Sequence, residues 1–276
     1  MKAVECAGLV HIYKTADVEV FALQGLDMTL DDGEVVAIVG ASGSGKTTLM
    51  NVLAGVQTPS AGQARVGGWD LATLSAASRD IYRRDVIGYV WQSAGLNLTA
   101  ELTAEENLQL PLLVAGKPRP ERRRRAKELL DAFELSDRGG HLPSQMSGGE
   151  QQRLALGVAM ANRPRVLLAD EPTAELDRAS ARQVLEDIRA LGEREGTTVV
   201  MVTHDHEVER HVDRILRIRD GRTSTETTSS GGELVILDPA GRLQLPKSVL
   251  EASRLGSRVR VRAERGRVVI EPPEGD

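Results

Sequence analysis

Cysteine is nearly absent. Cys6 stands alone among 276 residues, so no internal disulfide can form and a reducing cytoplasm is expected. No apolar run approaches the roughly 18 to 20 residues that cross a bilayer. If the protein works at a membrane, a partner must do the spanning. No export signal is expected either, because Glu5 interrupts any apolar stretch after Met1. The net charge is only −5, which gives no general pull toward nucleic acid or anionic lipid. There is no heptad run of useful length, which argues against a long coiled coil. What remains is 41 % hydrophobic residues, enough for an ordinary core, and a length that allows two domains.

Against this background one stretch stands out, Gly40-Ala-Ser42-Gly43-Ser-Gly45-Lys46-Thr47. Its G-x-x-x-x-G-K-T spacing is that of a phosphate-binding loop. Glycines at 40, 43 and 45 let the backbone curl so that successive N–H groups point inward as an anion nest. Lys46 then reaches the β- and γ-phosphates, and the Thr47 hydroxyl sits on Mg²⁺. The context agrees. Val35 to Val39 reads as a short buried strand, and Lys46 to Ala54 as a helix stopped by Gly55. A helix N-terminus adds its own attraction for phosphate.

Residues 3 to 30 alternate as antiparallel strands do. There Tyr13 is either a half-buried strand tyrosine or a face on which adenine stacks. Gly62 to Val66 predicts a strand, and Asp70 to Arg84 a short helix. Val86 to Trp91 predicts a buried strand ending at Gln92, and a lone glutamine there says little. Glu105-Glu106-Asn107 opens a helix expected to stop before Pro111. A further helix begins at Glu121, with Leu129, Leu130 and Phe133 on its apolar side. Its run Arg122 to Arg125 fits a solvated face better than a nucleic-acid patch, because helical neighbours point in different directions.

Ser147-Gly148-Gly149-Glu150 precedes apolar residues at 154, 158 and 161. A capping box explains Ser147 and Glu150 without any function. It does not explain two glycines in the first turn, each costing about 0.8 to 1 kcal/mol against alanine in a helix interior. A closely approaching phosphate would require such bare positions. Val166 to Ala169 predicts a strand ending in Asp170 and Glu171. Beside a phosphate loop, Asp170 is placed to hold Mg²⁺ and Glu171 to polarise an attacking water. Thr198 to Thr203 predicts another buried strand, followed by His204, which is placed to meet a γ-phosphate at the carboxyl edge of a parallel sheet.

In this order, the phosphate loop, Gln92, Met146-Ser147-Gly148-Gly149-Glu150-Gln151, Leu167 to Pro172 and His204 resemble the ATP-binding subunit of an ABC transporter. The resemblance covers roughly residues 3 to 222. It implies an α/β fold, a P-loop ATPase core with an antiparallel β subdomain and an α-helical subdomain at about 95–161, within a nucleotide-binding domain at 1–222. It further implies that Tyr13 stacks on adenine, with Gly40, Ser42, Gly43, Gly45, Lys46, Thr47 and Thr48 binding ATP. Thr47, Gln92 and Asp170 would hold Mg²⁺, and Gln92 would sense the γ-phosphate while linking to the membrane partner. Glu171 would be the general base and His204 the γ-phosphate switch. Ser147, Gly148, Gly149 and Glu150 would contact ATP bound to the opposite subunit, and Asp177 would belong to a loop crossing the dimer interface. A homodimer, or a pseudo-dimer with a second ATPase subunit, would drive a transmembrane permease from the cytoplasmic face of a bacterial inner membrane.

Ile87 to Gln92 and Leu98 to Pro111 look like the branch with lipoprotein-release, macrolide-export (MacB-like) and cell-division (FtsE-like) ATPases. The chain departs from the usual pattern at Met146, Glu150, Ala174 and Glu175. Glu175 places a negative charge near an interface that closes on ATP.

Residues 223–232 read as a polar linker. Beyond it, two strands flank the turn Asp238-Pro239-Ala240-Gly241, a short helix follows Pro246, and a second hairpin turns at Arg265-Gly266. This small β-rich ββαββ segment, 233–276, resembles the AbrB/MraZ swapped-hairpin fold, an intertwined dimer often used to bind DNA. Eight Lys plus Arg against seven Asp plus Glu lie there, so a dimerisation domain is favoured over a DNA reader. The alternative function is a soluble ABC ATPase acting on DNA.

Overall fold

The computed structural model describes residues 2–14, 18–204, 208, 210–228, 233–237, 241–253, 255–256 and 259–272. Its centre is a seven-stranded sheet in the order β11-β10-β9-β3-β8-β7-β6. The strands are β3 (Val35–Val39), β6 (Ile87–Val90), β7 (Val166–Asp170), β8 (Thr198–Val202), β9 (Arg214–Arg219), β10 (Arg222–Thr228) and β11 (Glu233–Val235). Pairing is parallel from β9 through β3, β8 and β7 to β6, and antiparallel at β10 and β11.

Strand periodicity divides the core. Val36, Ile38, Leu168, Val200, Val202 and Leu216 face one side. There they meet α1 (Lys46–Leu53) and a second, antiparallel sheet of β1 (Lys2–Lys14), β2 (Glu19–Asp31), β4 (Ala61–Val66) and β5 (Trp69–Asp70). Val35, Ala37, Leu167, Ala169, Val199 and Met201 face the other. There they meet α3 (Ala104–Val114), α4 (Arg119–Ala132), α5 (Gly148–Met160) and α6 (Arg178–Glu195). Between β5 and β6, α2 (Ala76–Asp85) starts at the Ser75 cap, later than the Asp70 expected, because Ser75 accepts from the Ser78 amide.

Three further expectations in the main body of the fold need correction. First, α3 does not stop before Pro111 but runs through it. Its capping box, Thr103 with Glu106, and the buried Leu108 and Leu112 hold the helix despite the missing N–H. Second, the arginine run is not wholly solvated. Arg125 is 3 % exposed and makes a two-armed ion pair with Glu195, at 2.7 and 2.8 Å. It also donates to the carbonyls of Met160 and Ala161. Third, much of the supposed linker is β10, which pairs with β9 and is followed by β11 on its open edge. Its Ser224 and Thr225 are buried, and edge pairing satisfies their backbone as composition alone does not foretell.

In the tail, α7 (Lys247–Ser253) follows Pro246, and β12 (Arg260–Glu264) pairs with β13 (Arg267–Glu271). Arg265 and Gly266, at φ 44° and 80°, make the turn. Leu243 to Leu245 is not a strand. The turn at Asp238 to Ala240, the end of the linker at 229–232, and Arg258 lie outside the described residues.

Candidate nucleotide site

The phosphate loop joins β3 to α1 at the carboxyl edge of the parallel strands. Its glycines are required by contacts as well as by dihedral angles. A Cβ on Gly40 would lie 2.3 Å from the Ile218 carbonyl oxygen, and one on Gly45 (φ 103°) 2.5 Å from that of Ala22. Gly45 caps α1 without any side chain to accept its first amides, leaving those donors for an anion. Lys46 Nζ folds back onto the carbonyls of Gly40 and Ala41, at 2.7 and 3.0 Å. Ser44 Oγ is buried without a hydrogen-bond partner. Uncapped amides, a lysine parked on its own loop and an orphan hydroxyl fit a polyphosphate.

A cleft of about 500 Å³ brings together Tyr13, Gly40, Ser42, Gly43, Gly45, Lys46, Thr47, Thr48, Gln92, Asp170, Glu171 and His204. Tyr13 lies at its rim, its hydroxyl 3.3 Å from Thr48 Oγ1 and donating to Gln57 Oε1 at 2.9 Å. Three further lining residues, Val20, Phe21 and Ala22, had no signal in the sequence. Phe21 is 51 % exposed, an apolar surface beside Tyr13 that only the hairpin of β1 and β2 creates.

Burial pushes Asp170 above the usual carboxylate range. The neighbouring Glu171 adds to this, and Lys46 pulls it back. Two adjacent carboxylates of this kind suit a divalent cation, and Thr47 and Gln92 supply neutral oxygens in the same cleft. No group of three His, Cys, Asp or Glu forms a metal site among the described residues. Glu171 has φ 50°, rare for a glutamate. Its amide donates to Val202 O at 2.8 Å and its carboxylate meets His204 Nδ1 at 2.8 Å.

Ser147, Gly148, Gly149, Glu150 and Asp177 lie outside this cleft. Ser147 caps α5 in a full capping box. Glu150 accepts from the Ser147 amide at 2.7 Å and from Arg138 Nε at 2.8 Å. These bonds, the backbone one foremost, pull Glu150 down to about 2. The two glycines differ in their surroundings. A Cβ on Gly149 would press on Ser180 Oγ at 3.1 Å, whereas one on Gly148 would meet nothing within 4 Å. Asp177 caps α6, accepting from the amides of Ala179 and Ser180 and from Ser180 Oγ. These bonds, led by that of the Ser180 side chain, lower its pKa.

Comparison with known proteins agrees with this geometry. The family model for ABC transporters matches residues 23–174. A macrolide export ATP-binding/permease protein, MacB, of Rhodospirillum rubrum is 44 % identical over 79 % of this chain and 33 % of its own length. The chain thus spans about a third of the length of such relatives. An uncharacterised ABC transporter ATP-binding protein of Methanocaldococcus jannaschii is 38 % identical over 79 % of this chain and 96 % of its own. Among solved structures, the ATP-binding cassette MJ0796, a dimer in a post-hydrolysis state with ADP and Pi, superposes with a TM-score of 0.74. It is 37 % identical, covering 83 % of this chain and all of its own. The chain belongs to the ABC transporter family, as one of its ATPase domains.

Proposed function

We propose that this chain is the motor of an ABC transporter, closing as a dimer on ATP and driving a transmembrane permease at the cytoplasmic face of a bacterial inner membrane. The observation that carries the reading is a division of labour. Lys46, Asp170, Glu171, Gln92 and His204 share one cleft, while the Ser147 end of α5 lies outside it, free to meet a second subunit's nucleotide. The resemblance of MJ0796 to this chain supports closure as a dimer, because that cassette was solved as one. The permease is proposed from the relatives whose names join ATP binding to a permease. Among the described residues no helix is long and apolar enough to cross a membrane.

Within the cleft, the loop amides and Lys46 bind the phosphates, and Tyr13 takes the base. Thr47, Asp170 and Gln92 would hold Mg²⁺, which when bound offsets negative charge on the β- and γ-phosphate oxygens. Glu171 orients the attacking water and accepts its proton. His204, held by the Glu171 carboxylate, stands in the same cleft as the γ-phosphate switch. Ser147 and the bare Gly148 close over the phosphates from the opposite subunit, and Asp177 lies on the loop that crosses with them.

We also assign the tail beyond β11, residues 241–276, to self-association of the AbrB type. One face of the β12–β13 hairpin carries Val261, Ala263, Val268 and Ile270, with Val261 and Val268 60 % and 67 % exposed. An isolated two-stranded hairpin is marginal in water, and a second copy supplies the missing cover. The DNA reading is not favoured. Arg262 on the other face is already paired to Glu271 at 2.6 Å. Removing residues 241–276, which leaves β11 in the main sheet, is expected to lower the nucleotide-free mass by light scattering.

The central test is Glu171→Gln. ATP binding persists, and turnover falls by roughly two to four orders of magnitude. Normal turnover in that variant sinks the assignment.

A further inference from the structure

Three segments meet in the backbone beside the phosphate loop. In the turn between β9 and β10, the Gly221 amide donates to the Ser44 carbonyl at 3.0 Å. The Gly221 carbonyl accepts from the Gln24 amide at 2.9 Å. One glycine thus pins the phosphate loop to β2. There is no slack at this point. A Cβ on Gly221 (φ 71°) would lie 2.7 Å from the Ala22 carbonyl oxygen, and one on Gly45 3.5 Å from Gly221 Cα.

A fourth segment, from the tail, reaches the same place from outside. Leu243 and Gln244 line a gap of about 30 Å³ with Gly25 and Asp27 of β2 and Arg222 and Thr223 of β10. Arg222 follows Gly221 directly and Gly25 follows Gln24, so the tail covers the residues next to the pin. Thr223 joins the two strands there, its hydroxyl donating to the Asp27 carbonyl at 2.7 Å. The cover is close, with Gln244 Oε1 buried and without a hydrogen-bond partner among the described residues.

We propose that residues 242–244 brace the β9–β10 turn, so that seating of the tail sets the affinity of the phosphate loop for ATP. Leu243 and Gln244 are positioning residues in this scheme, since neither lines the nucleotide cleft. The physical basis is preorganisation. The loop amides bind phosphate only when curled, and any uncurled fraction of the molecules lowers the apparent affinity in proportion. With the tail seated, Gly221 stays on Ser44 and the curl is already made. With the tail away, the strand ends at the pin lose their cover and open more often. Linkage makes the effect reciprocal, so bound ATP also holds the tail in its seat. The inference rests on the phosphate-loop reading and is independent of self-association of the tail.

The test uses the full chain with Leu243→Gly and Gln244→Gly together, which keeps α7 and the β12–β13 hairpin. A fluorescent, non-hydrolysable ATP analogue is expected to bind about fivefold more weakly. Turnover at saturating ATP stays within about twofold of wild type. Hydrogen exchange at the Gly221 amide speeds up, while the amides of β7 and β8 keep their wild-type rates. In the wild type, adding the analogue slows exchange across 242–244. Unchanged affinity in the glycine pair, or a Gly221 amide that exchanges no faster, overturns the brace. Val261→Asp with Val268→Asp separates the brace from self-association, because it attacks only the hairpin face. If that variant weakens ATP binding as much as the glycine pair does, the effect runs through the dimer and the brace falls. A wild type that binds no analogue takes the nucleotide reading down with it.

Discussion

His204 Nδ1 lies 2.8 Å from Glu171 Oε2, joining the ends of two adjacent parallel strands, β8 and β7, across the mouth of the cleft. The contact holds the imidazole by Nδ1 at the cleft that Lys46 and Asp170 also line. The same carboxylate that would accept a proton from water thus also orients the group facing the γ-phosphate. His204→Ala is expected to lower turnover by roughly a hundredfold, while fluorescent ATP still binds through the loop and Tyr13. Unchanged turnover would detach His204 from the chemistry.

The two signature glycines separate folding from function. Nothing in the subunit crowds a side chain at Gly148, so Gly148→Ala is expected to leave the urea midpoint unchanged or higher. Turnover should fall by roughly a hundredfold, because the methyl group displaces a subunit that must approach closely. Gly149→Ala also loses stability against Ser180. Full activity in Gly148→Ala would remove the need for a second subunit at that position.

Arg125 ties three helices, bonding to the carbonyls at the end of α5 and to Glu195 at the end of α6. Arg125→Met leaves Glu195, 8 % exposed, with the long contact to Arg194 at 3.8 Å in place of its two-armed pair. Unfolding free energy should fall by about 3 to 5 kcal/mol. Arg125→Met with Glu195→Met should recover most of it, as chemical denaturation of both variants would show.

Glu150 gives a pH signature. Its pKa is depressed from 4.5 to about 2 in the folded chain, so its stabilisation is complete above the unfolded value. It is lost as pH falls through the folded one. Stability of the wild type should drop more steeply from pH 4.5 to 2 than that of Glu150→Gln. Parallel pH curves for the two would dismiss the capping box as an energetic feature.

Much of this site was legible before any coordinates. The spacing of Gly40, Gly45 and Lys46 states a backbone requirement, and Asp170-Glu171 and His204 each end an apolar strand. Local patterns of this kind need only nearest neighbours, as does the cap at Ser147. The sequence was less informative wherever a distant segment decided. Pro111 reads as a helix stop, yet the burial of Leu108 and Leu112 outweighs one missing amide bond. Residues 223–228 read as linker because their composition is polar, yet an open sheet edge offered their backbone a partner.

The amino-acid sequence by itself thus determined the chemistry available, namely phosphate-binding amides, a lysine, a carboxylate pair and a histidine at strand ends. Motif spacing encodes local geometry. Tertiary structure alone decided which of these groups share a cleft. It placed Phe21 beside Tyr13, kept Ser147 and Asp177 out of the cleft, and brought Gln244 of the tail to the strands beside the phosphate loop. Those relations depend on sheet order and on packing between segments far apart in the chain, which no local pattern specifies.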